Sequence, residues 1–173
     1  MSQNKGRVHI FTGNGRGKTS AAIGTAVRAC GYGYKVKVIF FMKGFHRGGE
    51  YASFDKLGIE WSICGRSSFI GPKDVRTEDI EAVEKCFREA ETDMQAGKYD
   101  LLIFDELNTA CGYEMFSTQR VLDLLNRRQN TEVILTGRYA PQILIDYADQ
   151  VSLIENIKHA FDNSLKPKKG IDF

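Results

Sequence analysis

Apolar runs of about 20 residues, the length that crosses a bilayer, do not occur in this 173-residue chain. A C-x-x-C pair is missing too. The four cysteines, Cys30, Cys64, Cys86 and Cys111, stand far apart, with no histidine at metal-ligand spacing. That pattern argues against a zinc site and leads us to expect buried, reduced thiols in a cytoplasmic protein. Charge of one sign is not in excess: 24 Lys and Arg against 22 Asp and Glu leave a net charge of +2, spread along the chain. No basic patch therefore argues for nucleic acid as a partner, and no span argues for a membrane. With three prolines, no low-complexity tract and no self-similar period, nothing marks a linker or a repeat. Residues 1–173 read as one domain with a core of ordinary size. The opening Met1–Arg7 is polar and lacks the apolar centre of a signal peptide.

What the chain does have is Thr12-Gly13-Asn14-Gly15-Arg16-Gly17-Lys18-Thr19-Ser20, set between the alternating Val8, Ile10, Phe11 and an alanine-rich helical pattern. Strand, glycine loop, Gly-Lys-Thr and helix in that order form a phosphate cradle. Glycines let backbone N–H groups converge on an anion, and the helix N-terminus adds partial positive charge. Lys18 adds a full charge, and the Thr19 hydroxyl suits Mg²⁺. The usual spacing places four residues between the first glycine and Gly-Lys. Counted from Gly13 this loop has one fewer, because position 12 is threonine. A dinucleotide fingerprint fails, since its third glycine falls on Lys18.

Strand and helix patterns alternate along the rest of the chain. Strands are expected at Val8–Thr12, Val36–Met42, Ile59–Cys64, Tyr99–Phe104, Glu132–Thr136 and Val151–Ile154. Helices are expected at Lys18–Ala29, Thr77–Gln95 (capped by Thr77), Thr118–Asn126 and Pro141–Tyr147. Near-continuous apolar strands point to a sheet covered on both faces. The expected fold is α/β: three layers around a mostly parallel sheet of about six strands, like a P-loop NTPase. Helix Lys18–Ala29 is apolar on most sides, and Ile80, Val83, Phe87, Ala90 and Met94 supply the apolar stripe of helix Thr77–Gln95, with Glu, Lys and Arg opposite. In such sheets ligands bind at the C-terminal ends of the strands.

Other chemistry-bearing residues fall at those ends. Leu101-Leu102-Ile103-Phe104 runs into Asp105-Glu106, and either acid suits Mg²⁺ opposite Thr19. Arg138 follows Thr136-Gly137, where a guanidinium reaches phosphate oxygens or merely caps a surface turn. Arg28, on the first helix, turns toward the nucleotide or forms a surface pair. The segment after Ile154 is non-periodic and reads either as a basic tail or as a strap along the site.

These residues together resemble the ATP:corrinoid adenosyltransferases of cobalamin biosynthesis and salvage. The likeness rests on the short phosphate loop, Met42-Lys43-Gly44, Gly49-Glu50 and Phe104-Asp105-Glu106-Leu107-Asn108. It continues through Leu135-Thr136-Gly137-Arg138, Lys158-His159-Ala160-Phe161-Asp162 and Lys169-Gly170-Ile171-Asp172-Phe173, spanning nearly the whole chain. It implies that the 5′-deoxyadenosyl group of ATP passes to Co(I) of a reduced corrinoid and that triphosphate leaves. It also implies Mg²⁺ (or Mn²⁺), an ATP reversed relative to other phosphate-loop enzymes, a flavoprotein-type reductant and a homodimer. Lys18 and Arg138 are then the catalytic cations. Gly13, Asn14, Gly15, Arg16, Gly17, Lys18, Thr19, Ser20 and Arg28 bind nucleotide, and Thr19, Asp105 and Glu106 hold metal. Phe69, Ile70 and His159 face the corrinoid. The family's Gly-Phe-x-Trp wedge beneath the corrin is replaced by Gly65-Arg66-Ser67-Ser68-Phe69-Ile70, so Phe69 or Ile70 takes that part. Trp61, the only tryptophan, lies earlier. No counterpart of the N-terminal lid of some relatives is expected before the first strand. Two alternatives share the motifs: an ATP-driven switch or kinase, and a non-catalytic nucleotide or corrinoid sensor.

Overall fold

The computed structural model describes residues 5–44, 48–158 and 166–171. The elements in chain order are β1 (Val8–Thr12), α1 (Lys18–Gly31), β2 (Val36–Phe41), α2 (Gly49–Leu57), β3 (Glu60–Cys64) and α3 (Thr77–Ala96). They continue with β4 (Leu101–Asp105), α4 (Leu107–Gly112), α5 (Thr118–Asn126), β5 (Glu132–Thr136), α6 (Gln142–Tyr147) and β6 (Gln150–Leu153). The six strands form one sheet in the order β3-β2-β4-β5-β1-β6, and every pairing is parallel. The expected three-layer α/β architecture is present.

Period two divides each central strand between two cores. Val38 and Phe40 of β2, with Leu101 and Ile103 of β4, pack with Ala22 and Ala26 of α1 and Tyr51 and Phe54 of α2. Ile39, Phe41, Leu102 and Phe104 face the other way, onto Val83, Phe87, Ala90 and Met94 of α3 and Val121 and Leu125 of α5. Both faces are thus apolar, which is why the strands read as runs rather than alternations. Phe40, Phe41 and Phe104 are fully buried, each stabilising the fold by up to about 3 kcal/mol. β5 lies between β1 and β4. The Thr136-Gly137-Arg138 corner is therefore set between the phosphate loop and the acidic strand.

Several expectations are corrected. A glycine-rich loop is expected from the sequence over Gly44–Glu50; helix α2 takes its last two residues and runs on to Leu57, where no element is expected. Its stripe is only Tyr51 and Phe54, too short to register as a period. Helix α4 has six residues and starts straight from Glu106, whose φ of 63° makes the strand-to-helix corner. Thr77 does not cap α3: Arg76 holds that position, and the Asp79 carboxylate accepts its backbone N–H at 3.0 Å. In α3 the buried stripe takes Cys86, while Ile80 is exposed. In α1 only the Ala22–Ala26 side is deeply buried, and Val27 is exposed. The cysteines are not all reduced. Cys64 and Cys86 form a disulfide between the end of β3 and α3, leaving Cys111 buried and Cys30 half-buried as free thiols.

Candidate active site

The phosphate loop leaves β1 at Thr12 and enters α1 at Lys18. It is braced from behind by the segment following β6. Gly15 N–H donates to Ile154 O at 2.7 Å, and Arg16 N–H donates to Asn156 Oδ1 at 3.1 Å. Glycine is required where the two segments touch. A Cβ on Gly13 would lie 2.4 Å from Ile154 O, and one on Gly15 2.7 Å from the same atom. Arg16 also reaches across to the carbonyl of Ile171 through its Nη2. The C-terminal segment therefore returns to the loop, in keeping with a strap rather than a free tail. Lys18 is buried in the loop and donates to Gly15 O at 2.7 Å. Burial pushes its ammonium below the ordinary lysine value; Glu106 opposes that shift and Arg138 adds to it. Asn14, Gly15, Arg16, Gly17, Lys18, Thr19 and Ser20 line one 300 Å³ cavity, joined there by Glu106, Arg138 and Ile171. Gly13 stands behind them, against Ile154 and Leu153.

The two acids at the end of β4 are not equivalent. Asp105 is fully buried, and both its oxygens carry a donor: Thr136 Oγ1 at 2.6 Å and Lys43 Nζ at 2.6 Å. Burial works against the Lys43 charge, but the Asp105 carboxylate outweighs it and holds Lys43 above its ordinary value. Glu106 is half-buried and faces open space, steadied by the Thr109 hydroxyl. Among the described residues no group of three or more His, Cys, Asp or Glu could hold a metal ion. Thr19 and Glu106 are hard oxygen donors lining the same cavity. That set fits Mg²⁺, which takes few protein ligands and completes its shell with phosphate oxygens and water.

Beside the phosphate-loop cavity lies a second, of 320 Å³. Met42, Lys43 and Gly44 line one side, Arg66 to Ile70 another, and Glu106, Thr109, Tyr113 and Arg138 the third. Glu106 and Arg138 belong to both cavities. Arg138 is aimed by its backbone: its N–H donates to Thr109 Oγ1 at 2.9 Å. On the far side Phe69 is 84 % exposed while Ile70 is buried, so Phe69 presents the free ring. Its loop is tied at both ends. Arg66 Nη2 donates to Asp74 O at 2.9 Å and to Asp74 Oδ2 at 2.5 Å.

Arg28 is not brought to this site. It lines a separate cavity with His9, Phe11, Tyr34 and Glu132, ten residues and about 15 Å along α1 from Lys18. His159 lies outside the described residues. Lys43, Thr109, Thr136, Tyr113 and Asn156 were not assigned roles from sequence. Thr109, three residues after Glu106 on one helix face, carried the clearest signal, and Tyr113 follows four residues later at the end of α4; Lys43, Thr136 and Asn156 depend on strand order.

The chain as a whole is similar to known proteins. Residues 4–173 match the family described as ATP:corrinoid adenosyltransferase BtuR/CobO/CobP. The chain is 35% identical over 170 residues to a corrinoid adenosyltransferase of Escherichia coli K12, covering 98% of this chain and 86% of that one. It is 34% identical over 172 residues to corrinoid adenosyltransferase CobA of Salmonella typhimurium, covering 99% and 87%. Among solved structures, the flagellar accessory protein FlaH of Methanocaldococcus jannaschii superposes with a TM-score of 0.61 at 10% identity, over 90% of this chain and 74% of that one; this likeness concerns the fold alone. With a phosphate loop, an acidic strand end and a second cavity sharing one wall, and a match over nearly its whole length, the chain belongs to the ATP:corrinoid adenosyltransferase family.

Proposed function

We propose that this chain transfers the 5′-deoxyadenosyl group of ATP to Co(I) of a reduced corrinoid, releasing inorganic triphosphate. The observation that carries this reading is the shared wall: Glu106 and Arg138 line both cavities. Hydrolysis needs a phosphate site and a water. Alkyl transfer needs a leaving-group site and an acceptor site that meet at one carbon.

In this reading triphosphate lies in the phosphate loop with C5′ at the junction. Co(I) supplies the electron pair of the new Co–C bond. The C5′–O bond breaks and its pair leaves on the triphosphate, so no proton has to move. Charge grows on the departing oxygen, where Lys18 and Arg138 stabilise it. Mg²⁺ (or Mn²⁺), held by Thr19 and Glu106, supplies further neutralisation when bound. Asp105 orients Lys43 and Thr136 rather than touching the metal. Phe69 offers an apolar face that favours loss of the lower axial ligand, easing reduction of Co(II). A flavoprotein-type reductant, a homodimer and a cytoplasmic setting complete the proposal.

The test is product analysis with MgATP and chemically reduced cobalamin. Triphosphate and an alkylated corrinoid in equal amounts are expected, and Lys18→Ala abolishes both. ADP and phosphate instead would indicate a switch or kinase; no turnover would indicate a sensor.

A further inference from the structure

We infer that Tyr139, backed by Tyr113, is a stacking platform for the adenine base of ATP, a subsite that rests on the transferase reading above. Tyr139 follows Arg138 and has a φ of 57°, a left-handed conformation that a bulky residue rarely adopts. The corner is nonetheless fixed on three sides. Gly137, at φ 130°, sits where a Cβ would meet Thr109 N at 2.7 Å. Gly112 leaves room for the tyrosine itself, since a Cβ there would lie 2.5 Å from Tyr139 Cβ. Ala140 N–H reaches Thr12 Oγ1 at 3.4 Å, at the start of the phosphate loop. A strained backbone and a glycine at the end of α4 thus hold one ring that remains 54 % exposed.

That ring is not isolated. Its centroid is 5.8 Å from Tyr113, at an interplanar angle of 37°. Tyr113 lines the second cavity together with Glu106 and Arg138, the two residues shared with the phosphate site. Tyr113 therefore borders the junction where C5′ is proposed to lie, and Tyr139, next in sequence to Arg138, extends that aromatic edge outside the two cavities. Size supports a nucleoside in the cavity that Tyr113 lines, beside the Tyr139 ring. A 320 Å³ cavity lies at the small end of ligand sites. A corrinoid is too large for it and must lie across its mouth. Aromatic faces bind any base without reading its hydrogen-bond pattern, so the same surface takes guanine as well as adenine.

Calorimetric binding to the full chain separates base from phosphate. Tyr139→Ala is expected to weaken MgATP on the order of tenfold, the scale of one stacked base, and to leave magnesium tripolyphosphate within about twofold. Tyr139→Phe recovers the MgATP affinity lost in Tyr139→Ala. Equal loss for both ligands overturns the proposal, because the residue then acts through the cradle. Unchanged MgATP affinity overturns it as well, and weakened cob(II)alamin binding in that case assigns the ring to the corrinoid. Lys18→Ala is the control. Wild-type tripolyphosphate binding that ignores Lys18 removes the phosphate-site reading itself, whatever Tyr139 does to ATP.

Discussion

Lys43 Nζ and Asp105 Oδ2 are 2.6 Å apart, and Thr136 holds the other Asp105 oxygen. The acid at the strand end is thereby occupied by protein, so the proposed function gives the metal role to Glu106 one residue later. Glu106→Gln is expected to raise the Mg²⁺ concentration for half-maximal activity at least tenfold, about 1.4 kcal/mol of binding. Asp105→Asn should leave that requirement within about threefold and instead lower stability by about 2 kcal/mol, since Lys43 loses a buried partner but remains a third open to solvent. Magnesium titrations and denaturant melts of both variants check this. The reverse ranking would return the metal to Asp105.

Asn156 is the brace of the phosphate loop, accepting from Arg16 N–H and donating to Asn14 O at 3.4 Å. Asn156→Ala is expected to weaken tripolyphosphate and MgATP alike, by about five- to tenfold, the scale of one lost hydrogen bond. This equal effect contrasts with that of Tyr139→Ala. A variant that binds both ligands as tightly as wild type would show that the loop holds its shape alone.

The phosphate-loop cavity was legible because its residues are nearly consecutive. Thr12 to Ser20 carries strand, turn and helix signals in one stretch, and Asp105-Glu106 marks a strand end by itself. What could not be read was pairing across strands. Lys43 reaches Asp105 because β2 neighbours β4, and Thr136 reaches it because β5 does. Neither adjacency follows from spacing. Arg28 misled for the complementary reason: nearness in sequence to Lys18 is distance along a helix. Cys64 and Cys86 are 22 residues apart with a loop and half a helix between them, so their meeting is a matter of packing.

The thiols give a pH-dependent test. Burial pushes the Cys111 thiol up to about 11 from its ordinary 9.0. The native state therefore keeps a proton that the unfolded chain releases. This stabilisation is fully present below pH 9 and is lost as pH rises from 9 to 11. Iodoacetamide at pH 8 should label Cys30 in the native protein and leave Cys111 intact. Unfolding without reductant exposes two thiols, and with reductant four. Four reactive thiols before reduction would rule out the Cys64–Cys86 bond. Its reduction removes a cross-link spanning about 22 residues, worth roughly 3 kcal/mol, and should lower Tm by about 6–12 °C.

Arg66 sets the loop that presents Phe69. It grips Asp74 at the far end, lies 3.5 Å from Asp79 of α3 through Nε, and its side chain is mostly buried. The loop root is packed as well, since a Cβ on Gly44 would meet Gly65 O at 2.1 Å. Releasing the buckle should therefore free the middle of the loop while its root stays in place. Arg66→Ala is expected to raise the KM for cob(II)alamin about five- to tenfold and leave the KM for ATP within twofold. It should also diminish the spectroscopic signal of four-coordinate Co(II) formed with MgATP. Phe69→Ala should share the loss from Co(II) yet work normally on pre-reduced Co(I). If both variants lose activity equally on Co(I), the loop contributes to binding or folding rather than to the axial-ligand step. If Arg66→Ala alone does so, the guanidinium contacts the corrinoid itself, since a displaced Phe69 cannot cost more than a missing one.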